Sequence, residues 1–302
     1  MLQPMSWESN GSLRSRSSNR RWFSPGRSCA AVQAGLAWFV LTVASFQPAR
    51  ALEAQWWLPG QIQERDLTHA ISDEVERLAH ELQGSAVIAP TTVASRESLG
   101  DRFRAELQRQ RDLLPLDVAL RYGCVTINIE VTVVVPIHGP PAQYRRVGEG
   151  CGSIDVAAQR WETLDAELIP IVVAHEGYLG HHAFDLARPP PEIRHRSINE
   201  AWAFLVERFA VEFGWLEGPH RRMVDLHRLG LFRAALSSDT PGAGEAGQTA
   251  AALFALETLV TEQSQGKVVR IEHLISVLDL ISNPQGGQIL VDALVRYLSK
   301  PR

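Results

Sequence analysis

The apolar positions of this chain change their period along its length, and the changes define its elements. Leu67, Ile71, Val75, Leu78 and Leu82 recur at three- and four-residue spacing before Gly84. That pattern predicts an amphipathic helix over Asp66–Gln83. Leu99, Phe103, Leu107 and Leu114 predict a second helix over Ser95–Leu114, ended by Pro115. From Cys124 to Pro136 the period falls to two: Val125, Ile127, Ile129, Val131, Val133 and Val135 alternate with polar residues such as Thr126, Asn128 and Glu130. This predicts one long β-strand with one buried face, or two short ones. The Gly- and Arg-rich stretch Tyr144–Ile154 reads as irregular. Helical patterns then dominate: an apolar run Leu168–Phe184, then Ser197–Phe213, Pro219–Leu236, Gly247–Gln263, Ile271–Ile281 and Gln288–Leu298, with Ser237–Gly247 as a loop. The sum is an α+β layout, predominantly helical, with a small β element.

The N-terminus follows a different rule. Arg14, Arg16, Arg20, Arg21 and Arg27 precede an 18-residue apolar run, Cys29–Phe46, and the small-x-small triplet Ala49-Arg50-Ala51. This is the form of an export signal peptide covering residues 1–51. Asn19-Arg20-Arg21-Trp22-Phe23 resembles a twin-arginine signal. The alternative is a retained membrane anchor, since 18 residues is near the lower limit for a span. Residues 52–302 then form the mature domain, in the periplasm or secreted.

Composition adds little beyond exclusions. With 45% apolar and 21% charged residues, the chain is neither disordered nor fibrous. The net charge is −4, and the six Arg and one Glu of the first 51 residues leave −9 for the remainder. No basic excess points to nucleic acid. Cys124 and Cys151 are the two cysteines outside the signal. In an oxidising compartment they would either pair or stay as separate buried thiols.

The chemistry concentrates in His175-Glu176-Gly177-Tyr178-Leu179-Gly180-His181-His182. Histidine and carboxylate suit zinc. A glutamate beside the first ligand can act as general base on an activated water, the logic of His-Glu-x-x-His hydrolases. The spacing departs from that motif, because the position one turn after His175 is Leu179. On a straight helix His181 lies about 9 Å further along, on the far side, and His182 about 10.5 Å along. A site therefore requires the helix to break, most easily at Gly180. His181 is the favoured second ligand, with His182 the alternate. Glu200, on the following helix, is the third-ligand candidate, and Glu207 lies on the same face, where it can hydrogen-bond a ligand. Two His and one Glu with an open position form a catalytic arrangement. The competing reading of Ser197-x-x-Glu200 is a capping box.

The His175–His182 run resembles the His-Glu-Ala-x-Pro-Gly-His-His signature of a bacterial family of zinc metallohydrolases, domain of unknown function family 885. Glu200-Ala201-Trp202-Ala203-Phe204 with Glu207 resembles its Glu-Gly-Trp-Ala-x-Tyr-x-Glu helix, and Val224-Asp225-Leu226-His227 a shortened form of a later segment. The match spans roughly Val125–Leu236. Leu179 stands where the family has Pro, and Ala201 where it has Gly. The resemblance implies a zincin-like, mostly helical fold and a metal-dependent hydrolase, with a peptide or a small amide or ester as substrate. In that scheme Glu176 is the base, and His227 and Tyr144 are candidates to stabilise the oxyanion, with Tyr178 behind them. Family members are usually longer, which raises a second reading: a degenerate relative that binds metal or peptide without hydrolysis. A third is a non-metal helical domain held at the membrane by an uncleaved Cys29–Phe46.

Overall fold

The apolar stripes close into helices whose shared interior orients everything else. A computed structural model of the chain describes residues 62–83, 96–130, 141–158, 161, 165–237 and 244–300. The export-signal segment and the second half of the expected strand, residues 131–136, lie outside the described residues. In chain order the helices are α1 (Glu64–Leu82), α2 (Arg96–Asp112) and α3 (Leu116–Tyr122), then α4 (Ile169–Glu176), α5 (His181–Ala187) and α6 (Arg196–Ala210). They are completed by α7 (Gly218–Leu236), α8 (Glu245–Ser264), α9 (Ile271–Ile281) and α10 (Gly286–Leu298). The strands are β1 (Val125–Glu130), β2 (Ala142–Arg146) and β3 (Gly152–Ala157). The chain is thus mostly helical with a small sheet.

Helix α8 is the axis of the core. Ala250 through Leu256 are all buried, as expected of a helix that is apolar on every side. It packs against α6, α7, α9 and α10, while α1 covers α7. The short α4 lies between α2 and α6, and Ile171 to Glu176 are all buried. Where α1, α7 and α8 meet, the buried Arg228 reaches Glu74 at 3.1 Å and Glu257 at 2.5 Å. Among the described residues no helix is long and apolar enough to cross a membrane.

The sheet corrects one expectation. Residues 144–154 are not irregular: they contribute β2 and β3, and the three-stranded sheet runs in the order β1-β3-β2. β1 pairs parallel with β3, Val125 opposite Gly152, and β2 pairs antiparallel with β3, Tyr144 opposite Ile154. β3 sits in the middle, with Ile154 and Val156 fully buried; its alternation of Ser153, Ile154, Asp155 and Val156 is only four residues long and follows a Gly-rich turn, too short to stand out. β2 has mostly polar side chains, which hides it. The turn between them uses Gly148 and Gly150 at φ +153° and +77°, angles that side chains disfavour. Cys124 and Cys151, just ahead of β1 and β3, form a disulfide with Cα atoms 4.7 Å apart. A second omission is α3: Pro115 does end α2, but it also caps the start of the next helix.

Candidate metal centre

The apolar run from Leu168 does not continue as one helix. α4 stops at Glu176, residues 177–180 make a turn, and α5 starts at His181. Gly180 N–H donates to Gly177 O at 3.1 Å within that turn. Gly180 lies so close to the end of α4 that a Cβ there would sit 1.8 Å from the His175 carbonyl oxygen. Only glycine allows this approach. The turn is clasped from α6, where the buried Trp202 indole N–H donates to Leu179 O at 2.7 Å. The break swings the His181 ring back beside His175, and the two ring centres are 4.7 Å apart.

Three donor atoms now converge. His175 Nε2 lies 3.5 Å from Glu200 Oε2, and His181 Nε2 lies 3.8 Å from the same oxygen. Glu176 Oε2 stands 3.9 Å from His181 Nε2. His175, Glu176 and His181 each offer a donor atom within 4.8 Å of the others. These separations exceed ordinary hydrogen bonds, which run about 2.7–3.2 Å. They are near the roughly 3.3 Å edge of a tetrahedron with zinc–ligand bonds of about 2.0–2.1 Å. The cluster can therefore hold a metal ion. Two glutamates compete for the third position. Glu200 Oε2 faces both rings, whereas Glu176 Oε2 already accepts the Tyr144 backbone N–H at 2.8 Å.

Each histidine is oriented from behind. His175 Nδ1 donates to Glu207 Oε1 at 2.5 Å, and His181 Nδ1 meets Asn199 Oδ1 at 2.9 Å. With Nδ1 carrying the proton, Nε2 offers its lone pair to a metal. Burial alone would raise the carboxyls of Glu200 and Glu207, but the neighbouring histidines outweigh it and hold both at about 2. Burial would lower His175, yet Glu200 and Glu207 raise it well above its ordinary value. Glu176 is pushed up, chiefly by burial and further by Glu200. So the cluster sets one carboxyl held low beside the two rings against another that is pushed up.

The remaining predicted residues fall elsewhere. His182 is not aimed at the cluster. Its Nδ1 meets the Tyr144 hydroxyl at 3.2 Å, and burial lowers it to about 4. Successive residues on α5 point about 100° apart, so only one of the pair can face α4. The Tyr144 hydroxyl is likewise turned away, donating to Asp185 Oδ2 at 3.1 Å; it is the Tyr144 backbone that serves the site. Tyr178 is buried in the core. His227, on α7, donates from Nδ1 to Glu207 Oε2 at 2.8 Å, and its ring centre is 6.2 Å from that of His175. Glu200 does not close a capping box, because the N-cap of α6 is His195, whose side chain accepts from Ser197 N–H.

Asn199, Asp185 and the clasp by Trp202 escaped the sequence reading. Asn199 adjoins Glu200, and a polar residue next to a candidate ligand was the available signal. Arg196 was missed too; its Nε lies 3.9 Å from Glu200 Oε1 and 2.9 Å from Glu245, which favours turning the other oxygen inward.

No family profile matches the chain, and no curated protein does. Among solved structures it resembles one titled a "putative lipoprotein" from Colwellia psychrerythraea, with a TM-score of 0.54 at 15% identity. The likeness covers 82% of this chain and 55% of that one, so this chain spans little more than half of its neighbour. At this identity it is a likeness of fold alone.

Proposed function

We propose that this protein is an exported zinc-dependent hydrolase, a zincin-like peptidase akin to domain of unknown function family 885. The observation that carries the reading is the meeting of His175, His181 and Glu200 across a helix break, with Glu176 alongside. In this reading those three residues hold the zinc. When bound, zinc supplies a Lewis acid for a carbonyl and makes a water nucleophilic near neutral pH.

The chain's own groups do the proton work. Glu176, tethered by the Tyr144 N–H, takes a proton from the attacking water and passes it to the leaving amine. Burial raises its carboxyl, which brings its basicity nearer to that task. His227, fixed by Glu207 through Nδ1, is in its imidazolium form the Nε2 donor we assign to the developing oxyanion; the Tyr144 hydroxyl, already committed to Asp185, is not. β2 is an edge strand among the described strands, and its backbone reaches Glu176. An extended peptide added along that edge would bring its carbonyls to the centre. The Cys124–Cys151 disulfide accords with an oxidising compartment.

The test is metal analysis of wild type against His175→Ala and Glu200→Ala, followed by hydrolysis of a peptide and ester library. Wild type should carry stoichiometric zinc that both variants lose. Glu176→Gln should keep the zinc and lose about 10²–10⁴-fold in rate. Wild-type protein with no zinc above background overturns the reading. Zinc without hydrolysis of any library member makes the chain a binding module instead.

A further inference from the structure

Glu207 is one carboxylate serving two rings. Oε1 takes the His175 Nδ1 proton at 2.5 Å and Oε2 takes the His227 Nδ1 proton at 2.8 Å. The side chain is fully buried, at 0% exposure. An ionised carboxylate only accepts, so each ring must carry its proton on Nδ1. Packing repeats the arrangement: Phe204, also on α6, has its ring centre 5.7 Å from His175 and 4.5 Å from His227. One helix therefore fixes two histidines from two other helices by the same pair of side chains.

We propose that Glu207 is a positioning residue that couples the two sites it touches, so that holding a cation at His175 and placing the His227 ring depend on each other. The inference rests on His175 being a zinc ligand, as assigned above. A cation drawing on His175 Nε2 polarises the Nδ1–H bond towards Glu207 and steadies the carboxylate between the rings. Loss of either ring shifts the whole acceptor to the other.

Glu207→Gln makes the point chemically. The amide is nearly isosteric but offers one acceptor and one donor. Its NH₂ would oppose one of the two Nδ1–H groups, and that ring must change tautomer or turn away. The experiment uses the mature chain and two readouts: zinc affinity by chelator competition, and imidazole protons by ¹⁵N–¹H long-range correlation spectra. In wild type, with or without zinc, both His175 and His227 should show a hydrogen-bonded Nδ1 proton. In Glu207→Gln one of those protons should be lost and zinc affinity should fall about 10- to 100-fold. In His227→Ala the remaining His175 Nδ1 proton should move downfield as its bond strengthens.

A wild-type His227 with no proton on Nδ1 overturns the proposal without recourse to any variant. So does Glu207→Gln with unchanged zinc affinity and both protons in place, or a His175 signal indifferent to His227→Ala. Wild-type protein that binds no zinc would instead defeat the hydrolase reading, while the two Nδ1 protons still decide what Glu207 does.

Discussion

The Arg228 cluster and the His175 cluster are both buried, both join several helices and both gather glutamates, yet they differ in spacing. Arg228 touches Glu74 and Glu257 at 3.1 and 2.5 Å. Its positive charge belongs to the chain, and the acids close directly upon it. Around His175 the corresponding separations to Glu200 and from His181 to its two glutamates are 3.5, 3.8 and 3.9 Å. Those separations are near the edge of a small cation's ligand shell, while Glu207 closes directly on the other side of the His175 ring at 2.5 Å. Burial and charge alone would not tell a structural knot from a binding centre. Contact distance does, because a finished ion pair has nothing left to offer.

The contrast can be broken from either side. The largest effect is expected from His175→Ala, which should abolish zinc retention measured by elemental analysis while the helical circular dichroism persists. Arg228→Ala should do the reverse. Removing it leaves Glu74 to Arg77 and Glu257 to Arg208 alone, a loss of up to about 3–5 kcal/mol in chemical denaturation, with zinc content per folded chain unchanged.

Acid should act next. Burial would raise Glu74, but Arg77 and Arg228 lower it on balance. A depressed folded value means its stabilisation is complete above the ordinary carboxylate range and is lost as pH falls through the lower folded value. Denaturation midpoints followed against pH should decline across that acid window, and Arg228→Ala should flatten the decline. A slope that is the same in both proteins would remove Glu74 from the explanation. The smallest effect is expected from Asn199→Ala, about tenfold in zinc affinity, below that of Glu207→Gln, because a neutral amide holds an imidazole less strongly than a carboxylate. Equal losses would mean that the two histidines are held alike.

How far the sequence disclosed this depends on whether each signal is local. The stripe of α1 and the bounds Ile271–Ile281 of α9 were legible because burial follows a single period there. The break at Gly180 was legible because His175 and His181 cannot meet on an unbroken helix, although the clasp from Trp202 to Leu179 O left no trace in the pattern. β2 and β3 were not legible: one is too polar, and the alternation of the other, Ser153 to Val156, is too short beside a Gly-rich turn. The sharing of Glu207 by His175 and His227 was half seen. Helical spacing put Glu207 near the ligands, but its bond to His227 crosses between α6 and α7, and no periodicity reports a contact between helices. The candidate role of the Tyr144 hydroxyl failed for a related reason, since strand twist and the placement of α5 decided where the ring went.

One covalent feature bears on how the protein should be prepared. The Cys124–Cys151 bridge spans 27 residues of sequence, and within that loop lies Tyr144, the anchor of Glu176. Closing a loop of this length is worth about 3–4 kcal/mol. Material made in a reducing cytosol would lack the staple, and its edge strand would be free to drift from the acid it steadies. Oxidative folding during production therefore decides whether an assay measures this protein as folded here or a slackened copy of it.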